Sequence, residues 1–139
     1  MLFFCYYKKT EVFIRENKSG GNDMLVLVYR KCSTCLKALK WLKDHKVTFE
    51  ERPIAEENPT YEELKEWYKI SGLPLKKFFN TSGLLYKDMQ LKDKLPTMTE
   101  DEQLKLLSTN GMLVKRPLVV GDNFVLTGFK EKEWEEKIK

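Results

Sequence analysis

Cys32 and Cys35 stand two residues apart in the stretch Val28-Tyr29-Arg30-Lys31-Cys32-Ser33-Thr34-Cys35-Leu36-Lys37. Thiols at that spacing can carry redox chemistry: one sulfur attacks an oxidised partner, and the other releases the product by closing a disulfide. An apolar run, Leu25 to Tyr29, precedes the pair. A helical repeat follows it, with Leu36, Leu39 and Leu42 separated by lysines. Strand, tight loop and helix put Cys32 where a helix begins. Unpaired amides and the positive end of the helix dipole favour a thiolate there, and Arg30, Lys31 and Lys37 add positive charge. Cys32 is the expected nucleophile and Cys35 its resolving partner.

Two other uses of the pair compete with this one. A structural zinc site needs four ligands, and the rest of the chain offers only Cys5 and His45, neither at ligand spacing. No metal is therefore expected. Two inert cysteines sharing a turn is the second alternative. The lack of a further Cys pair argues against a disulfide-stapled secreted domain and for a reducing cytoplasm, where such a pair cycles.

Composition narrows the class. With 139 residues, 42% of them hydrophobic and 33% charged, the chain suits one domain with a sizeable core. Its net charge of +4, from 25 basic and 21 acidic residues, is interleaved along the sequence. That pattern describes a solvated surface and not a nucleic-acid patch. The apolar stretches fall well short of the ~18 residues of a membrane span. Residues 1–23 read as a flexible leader or start-site extension: Met1 to Tyr7 lacks the basic start and cleavage site of a signal peptide. Lys18-Ser19-Gly20-Gly21-Asn22-Asp23 reads as a linker, and Met24 stands just before the first strand. A domain over 24–139 follows.

The remaining elements must position the cysteines. The first helix is expected from Ser33 to about His45, burying Ala38, Leu39 and Leu42, with His45 a solvated residue near its C-terminal end. Val47 to Arg52 alternates as a half-buried strand closed by Pro53, which makes a right-handed βαβ unit with parallel strands. A helical block comes next. Thr60 with Glu63 and Thr99 with Glu102 form capping boxes. Tyr61, Leu64, Trp67 and Tyr68 line one face, and Gly72 is a stop. A short helix spans Leu73 to Phe79, Asn80-Thr81-Ser82-Gly83 is a loop, and one or two short helices cover 84–95. Leu104 and Leu107 belong to a further helix with Gly111 as its C-terminal stop. Pro117-Leu118-Val119-Val120 and Phe124-Val125-Leu126-Thr127 then flank Gly121-Asp122-Asn123 as a β-hairpin. A last helix covers Lys130 to Lys139 with Trp134 and Ile138 on one face. This order makes a thioredoxin-like α/β fold of the glutaredoxin type. Its four-stranded mixed sheet carries a helical insert between the βαβ unit and the ββα unit. Arg116-Pro117, opening a strand near a Cys-x-x-Cys, is a candidate cis peptide, with an ordinary trans proline as the equal alternative.

Cys32-Ser33-Thr34-Cys35 after Val28-Tyr29, the helical insert, Lys115-Arg116-Pro117-Leu118-Val119-Val120 and Gly128-Phe129 together resemble the ArsC/Spx family of thioredoxin-fold proteins. The likeness covers nearly all of residues 24–139. It implies a cis Pro117, Cys32 as the catalytic cysteine and Arg116 as the anion-binding arginine beside it. It also implies a substrate site drawing on Arg116, Pro117, Ser33 and Thr34. Two departures stand out. In the glutathione- and glutaredoxin-linked arsenate reductases, Gly-Thr-Ser-Arg follows the catalytic cysteine; here Ser33-Thr34-Cys35-Leu36 does, so Leu36 replaces an arginine. Asn80 or a neighbour takes the place of a second arginine in the insert. Only Arg116 matches that trio. The Cys-x-x-Cys is closer to Spx, but the chain ends soon after the last helix, and its insert around Ser71-Gly72-Leu73 differs in length. It reads as a short paralogue.

Two functions follow from the resemblance. The first is a thiol-dependent oxidoreductase of the arsenate reductase kind, acting on an oxyanion, a mixed disulfide or a glutathione adduct. Cys32, Cys35 and Arg116 are its catalytic residues. It holds no bound cofactor and takes glutathione, glutaredoxin or thioredoxin as reductant. The second is an Spx-like redox switch that binds the C-terminal domain of the RNA polymerase alpha subunit. Neither needs direct nucleic-acid contact, a membrane or more than a monomer.

Overall fold

The structure is a computed structural model that describes residues 24–138. The expectations for residues 1–23, including Cys5, lie outside the described residues. Strand β1, Leu25–Val28, is buried along its whole length. It pairs in parallel with β2, Glu50–Pro53, and antiparallel with β3, Leu118–Val120. The latter pairs antiparallel with β4, Val125–Thr127. The four-stranded sheet has the order β2-β1-β3-β4, as the pattern of elements requires.

Successive strand residues point to opposite faces, and the central strands feed two cores. Leu25, Leu27, Leu118 and Val120 face one layer, where they meet Leu64, Trp67, Phe78, Leu107 and Leu113 of the helical insert. Val26, Val28 and Val119 face the other, with Cys35, Ala38 and Leu42 of helix α1, Ser33–Asp44, and Trp134 of the last helix. A strand buried on both faces has no polar alternation, which is why Leu25 to Val28 reads as a continuous apolar run.

Of the three positions expected to be buried in α1, Ala38 and Leu42 are, and Leu39 is not fully so. Its buried positions are Cys35, Ala38, Trp41 and Leu42; Leu36 is 48% exposed and Leu39 is only half-buried. The helical repeat of Leu36, Leu39 and Leu42 reaches the core fully only at Leu42, and the inward face runs through Cys35, Ala38 and Trp41. Strand β2 starts later than the alternation predicts because of how α1 ends. Lys46 takes a left-handed conformation with φ 55, its N–H donates to Lys43 O at 3.0 Å, and the N–H of Val47 donates to Leu42 O at 3.0 Å. This Schellman closure uses Val47 as part of the helix terminus, so the strand starts at Glu50 and not Val47. Pro53 lies inside the pairing, opposite Val28.

The insert contains α2, Tyr61–Ser71, α3, Leu84–Asp88, α4, Leu91–Lys94, and α5, Glu100–Leu107. Leu75–Phe78 is a 3-10 turn. Both capping boxes are formed, and Gly72 caps α2 with φ 67. Gly111 does not stop α5; Ser108 caps that helix. Gly111 instead opens a 3-10 turn, Gly111–Leu113, where a Cβ would come 1.9 Å from the Ile54 carbonyl oxygen. It is needed for close packing of the insert onto the end of β2. Helix α6, Glu131–Lys137, closes the fold.

A buried ion pair ties β2 to α2. Arg52 Nη1 donates to Glu63 Oε2 at 2.9 Å and Nη2 to Oε1 at 3.0 Å, while Nε reaches Glu57 O at 2.9 Å. Both side chains are within a few percent of full burial. Bidentate geometry and the extra carbonyl acceptor satisfy the guanidinium, which is what burial of such a pair demands.

Candidate active site

Cys32 is the N-cap of α1, with φ −96 and ψ 124. Its N–H donates to Tyr29 O at 2.9 Å, which closes the Tyr29–Cys32 turn at the end of β1. An extended N-cap followed by helical residues aims the first free amides of α1 at the Cys32 side chain. Burial pushes the Cys32 thiol up. That effect is outweighed by the backbone N–H groups of Cys35 and Thr34, the Cys35 thiol and the charge of Arg116, and the net result lies below the ordinary cysteine value. Cys32 is partly exposed.

Cys35, one helical turn on, is fully buried. Burial pushes its thiol up to about 11, reinforced by Cys32 and opposed by the Tyr29 N–H and by Arg116. The Tyr29 N–H donates to Cys35 Sγ at 3.4 Å. Both cysteines are free thiols.

Arg116 arrives from far along the chain, just before β3. The Arg116–Pro117 peptide is cis. The Pro117 carbonyl accepts from Gly128 N–H at 2.8 Å, and Gly128, at φ +79, accepts from Trp134 Nε1 at 3.2 Å. Nε and Nη1 of Arg116 are buried and have no hydrogen-bond partner among the described residues. A half-buried guanidinium with unused N–H groups is set up to receive an anion. Arg30, expected to add charge at Cys32, is engaged elsewhere. Arg30 turns to the edge of the sheet, where Nε and Nη2 make a bidentate pair with Glu51 at 2.7 and 2.6 Å.

A groove of about 990 Å³ runs past Cys32, Thr34 and Arg116. One wall is the segment from Leu73 to Gly83, including Lys76, Lys77 and Asn80; the other comes from β4 and the start of α6. The insert wall is fixed by a Phe79–Val114 bridge, by Lys115 N–H donating to Phe78 O and by Asn80 N–H donating to Leu113 O, both at 2.8 Å. Of the expected site residues, Cys32, Cys35, Thr34 and Arg116 are brought together. Ser33 is exposed at the first turn of α1, and Pro117 is buried beneath the site, where it holds Arg116. Sequence reasoning missed Lys76 and Lys77, whose only signal was their place after Pro74, and Tyr29, whose signal was its position before the cysteine turn. Among the described residues no cluster of three or more His, Cys, Asp or Glu side chains could hold a metal ion, and no helix is long and apolar enough to cross a membrane.

The family model for the ArsC family matches residues 27–137. The chain belongs to the ArsC family. It is 56% identical over 108 residues to the uncharacterized protein YusI of Bacillus subtilis (strain 168), spanning 78% of this chain and 92% of that protein. It is 31% identical over 105 residues to the regulatory protein MgsR of the same organism, spanning 76% and 82%. Among solved structures, a putative ArsC family related protein from Bacteroides fragilis aligns with a TM-score of 0.80 at 60% identity, covering 81% of this chain and 95% of that one. A possible arsenate reductase from Streptococcus mutans UA159 aligns with a TM-score of 0.74 at 37% identity, covering 81% and 97%. The ArsC family thus joins reductase-like and regulator-like relatives on the thioredoxin-like fold seen here.

Proposed function

We propose that this ArsC-family protein is a thiol–disulfide oxidoreductase with Cys32 as nucleophile, Cys35 as resolving thiol and Arg116 as the group that steadies negative charge beside them. The carrying observation is the contrast between a partly exposed Cys32 thiol below its ordinary pKa and a fully buried Cys35 thiol at about 11, within hydrogen-bonding reach of each other. Cys32 is the more thiolate-prone of the two sulfurs, so attack has a direction.

Cys32 thiolate attacks one sulfur of a substrate disulfide. A Cys32–substrate bond forms, the substrate S–S bond breaks, and the departing sulfur leaves as thiolate. Cys35 then gives up its proton to that thiolate or to water and attacks Cys32 Sγ. The second half of the substrate leaves, and a Cys32–Cys35 disulfide remains. The two electrons of the dithiol have passed to the substrate. An external thiol, such as glutathione, glutaredoxin or thioredoxin, restores the pair. Disulfides and glutathione adducts rank ahead of arsenate as substrates: an arsenate dianion needs several bidentate cationic donors at the thiolate, and Arg116 is the one arginine among the described residues lining the groove at Cys32.

The test is a single turnover of reduced protein with one equivalent of glutathione disulfide or of arsenate, followed by intact-mass analysis. Loss of two hydrogens and a Cys32–Cys35 crosslink are expected with the disulfide, and Cys35→Ser is expected to trap a mixed disulfide on Cys32. Unchanged mass with every oxidant would overturn the proposal. A second reading, a redox-switched regulator binding the RNA polymerase alpha C-terminal domain, is supported by the similarity to MgsR. Binding to that domain that changes between reduced and oxidised protein, without turnover, would favour it.

A further inference from the structure

We infer that Tyr29 is a positioning residue that holds Arg116 at the thiol site without consuming its charge. The inference rests on the reading of Cys32 and Arg116 given above.

Tyr29 touches each member of the site by a different group. Its carbonyl accepts from Cys32 N–H at 2.9 Å. Its N–H donates to Cys35 Sγ at 3.4 Å. Its ring lies under the Arg116 guanidinium, 5.0 Å from ring centroid to Cζ, within the range of a cation–π contact. The ring is half-buried and packs against both cores of the sheet, so its place is set by the body of the fold and not by the groove.

The kind of contact matters. Buried guanidinium groups are ordinarily held by carboxylates, as Arg52 is by Glu63. A carboxylate would occupy the N–H donors of Arg116 and cancel its charge. An aromatic face attracts the cation through the ring quadrupole and leaves its in-plane N–H groups unused. That is the observed state: Nε and Nη1 are buried and unpartnered among the described residues. The charge of Arg116 is therefore not neutralised by the group that holds it, and it favours the Cys32 thiolate. The charged or titratable groups acting on that thiol are Arg116 and Cys35; the nearby Arg30 is paired with Glu51.

The experiment compares wild type, Tyr29→Phe, Tyr29→Leu, Tyr29→Met, Arg116→Ala and the double variant Tyr29→Leu/Arg116→Ala, with melting temperature confirming that each is folded. The readout is the pH dependence of Cys32 alkylation by iodoacetamide, followed by mass. Tyr29→Phe keeps the ring face and should match wild type. Tyr29→Leu and Tyr29→Met should raise the apparent Cys32 pKa toward that of Arg116→Ala and slow alkylation at pH 7 on the order of threefold. In the Arg116→Ala background Tyr29→Leu should add nothing further. If either leucine or methionine variant is folded and titrates as wild type, or Tyr29→Phe shifts as far as they do, the inference is overturned while the role of Arg116 stands. The same holds if the effect of Tyr29→Leu persists without Arg116. A wild-type Cys32 with an ordinary pKa that Arg116→Ala does not move would overturn both.

Discussion

Cys35 lies one helical turn beyond Cys32, and each thiol helps to set the other's titration: a hydrogen bond between them favours the Cys32 thiolate and disfavours that of Cys35. The helix start supplies free amides to the first and the sheet buries the second. A dithiol arranged in this way has a built-in order of events, attack from Cys32 and resolution from Cys35.

Selective alkylation follows. In a Cys5→Ser background, which leaves Cys32 and Cys35 as the two cysteines, iodoacetamide near pH 8 should add one group, at Cys32, with Cys35 modified only as the pH approaches about 11 or after unfolding. Peptide mapping of the alkylated protein checks this; prior modification of Cys35 would contradict the assignment.

Stability of the reduced protein should fall at alkaline pH. The folded-state pKa of Cys35 is raised to about 11, so the native state holds a proton that the unfolded chain gives up earlier. The contribution is full below the unfolded value of about 8.5 and is lost as pH rises through about 11, on the order of 2 kcal/mol. Urea denaturation at pH 7.5 and 10.5 should show this loss in wild type and a smaller one in Cys35→Ala.

Arg116 should select for anions. Replacing it with alanine should lower the rate of Cys32 alkylation by iodoacetate more than by neutral iodoacetamide, shifting the ratio by on the order of threefold. Arg116→Lys should restore part of it, because a lysine keeps the charge without the planar donors. Rate ratios at low ionic strength are the measurement.

The Arg52–Glu63 pair should be intolerant of half-removal. Arg52→Met leaves a buried carboxylate without its main partner and should cost about 3–5 kcal/mol, whereas Arg52→Met with Glu63→Leu should recover a large part. Some loss will remain, since Glu63 Oε1 also accepts from Thr60 N–H at 3.0 Å in the capping box. Urea titration of the singles and the double gives the coupling.

Two glycines should differ in kind. Gly111→Ala puts a Cβ 1.9 Å from the Ile54 carbonyl oxygen and should cost about 2 kcal/mol or more, as overpacking against backbone does. Gly72→Ala meets open space but must hold φ +67, for about 1 kcal/mol. Thermal melts of both variants rank them.

Much of this molecule was legible in the chain itself, and what was legible is local. The apolar run Leu25 to Val28, the capping boxes at Thr60 and Thr99, the Gly72 stop, the hairpin around Gly121 and the Cys-x-x-Cys at a helix start all depend on residues within about four positions of one another. Hydrogen-bond spacing and side-chain periodicity decide them. Tertiary structure decided what depends on partners distant in sequence. The sheet completed the inward face of α1: beside the expected Ala38 and Leu42 it took Trp41, and it left Leu36 in solvent. That choice also buried Cys35 and raised its pKa. Gly111 looked like a helix stop and is a contact with Ile54, and Arg52, the last residue of the expected strand, is buried and paired with Glu63. The cation at Cys32 is not its neighbour Arg30 but Arg116, held over Tyr29, because only the folded sheet brings the start of β3 beside the end of β1. Coulomb forces and packing act through space, so the chain can name the charges, and the fold alone determines which of them meet.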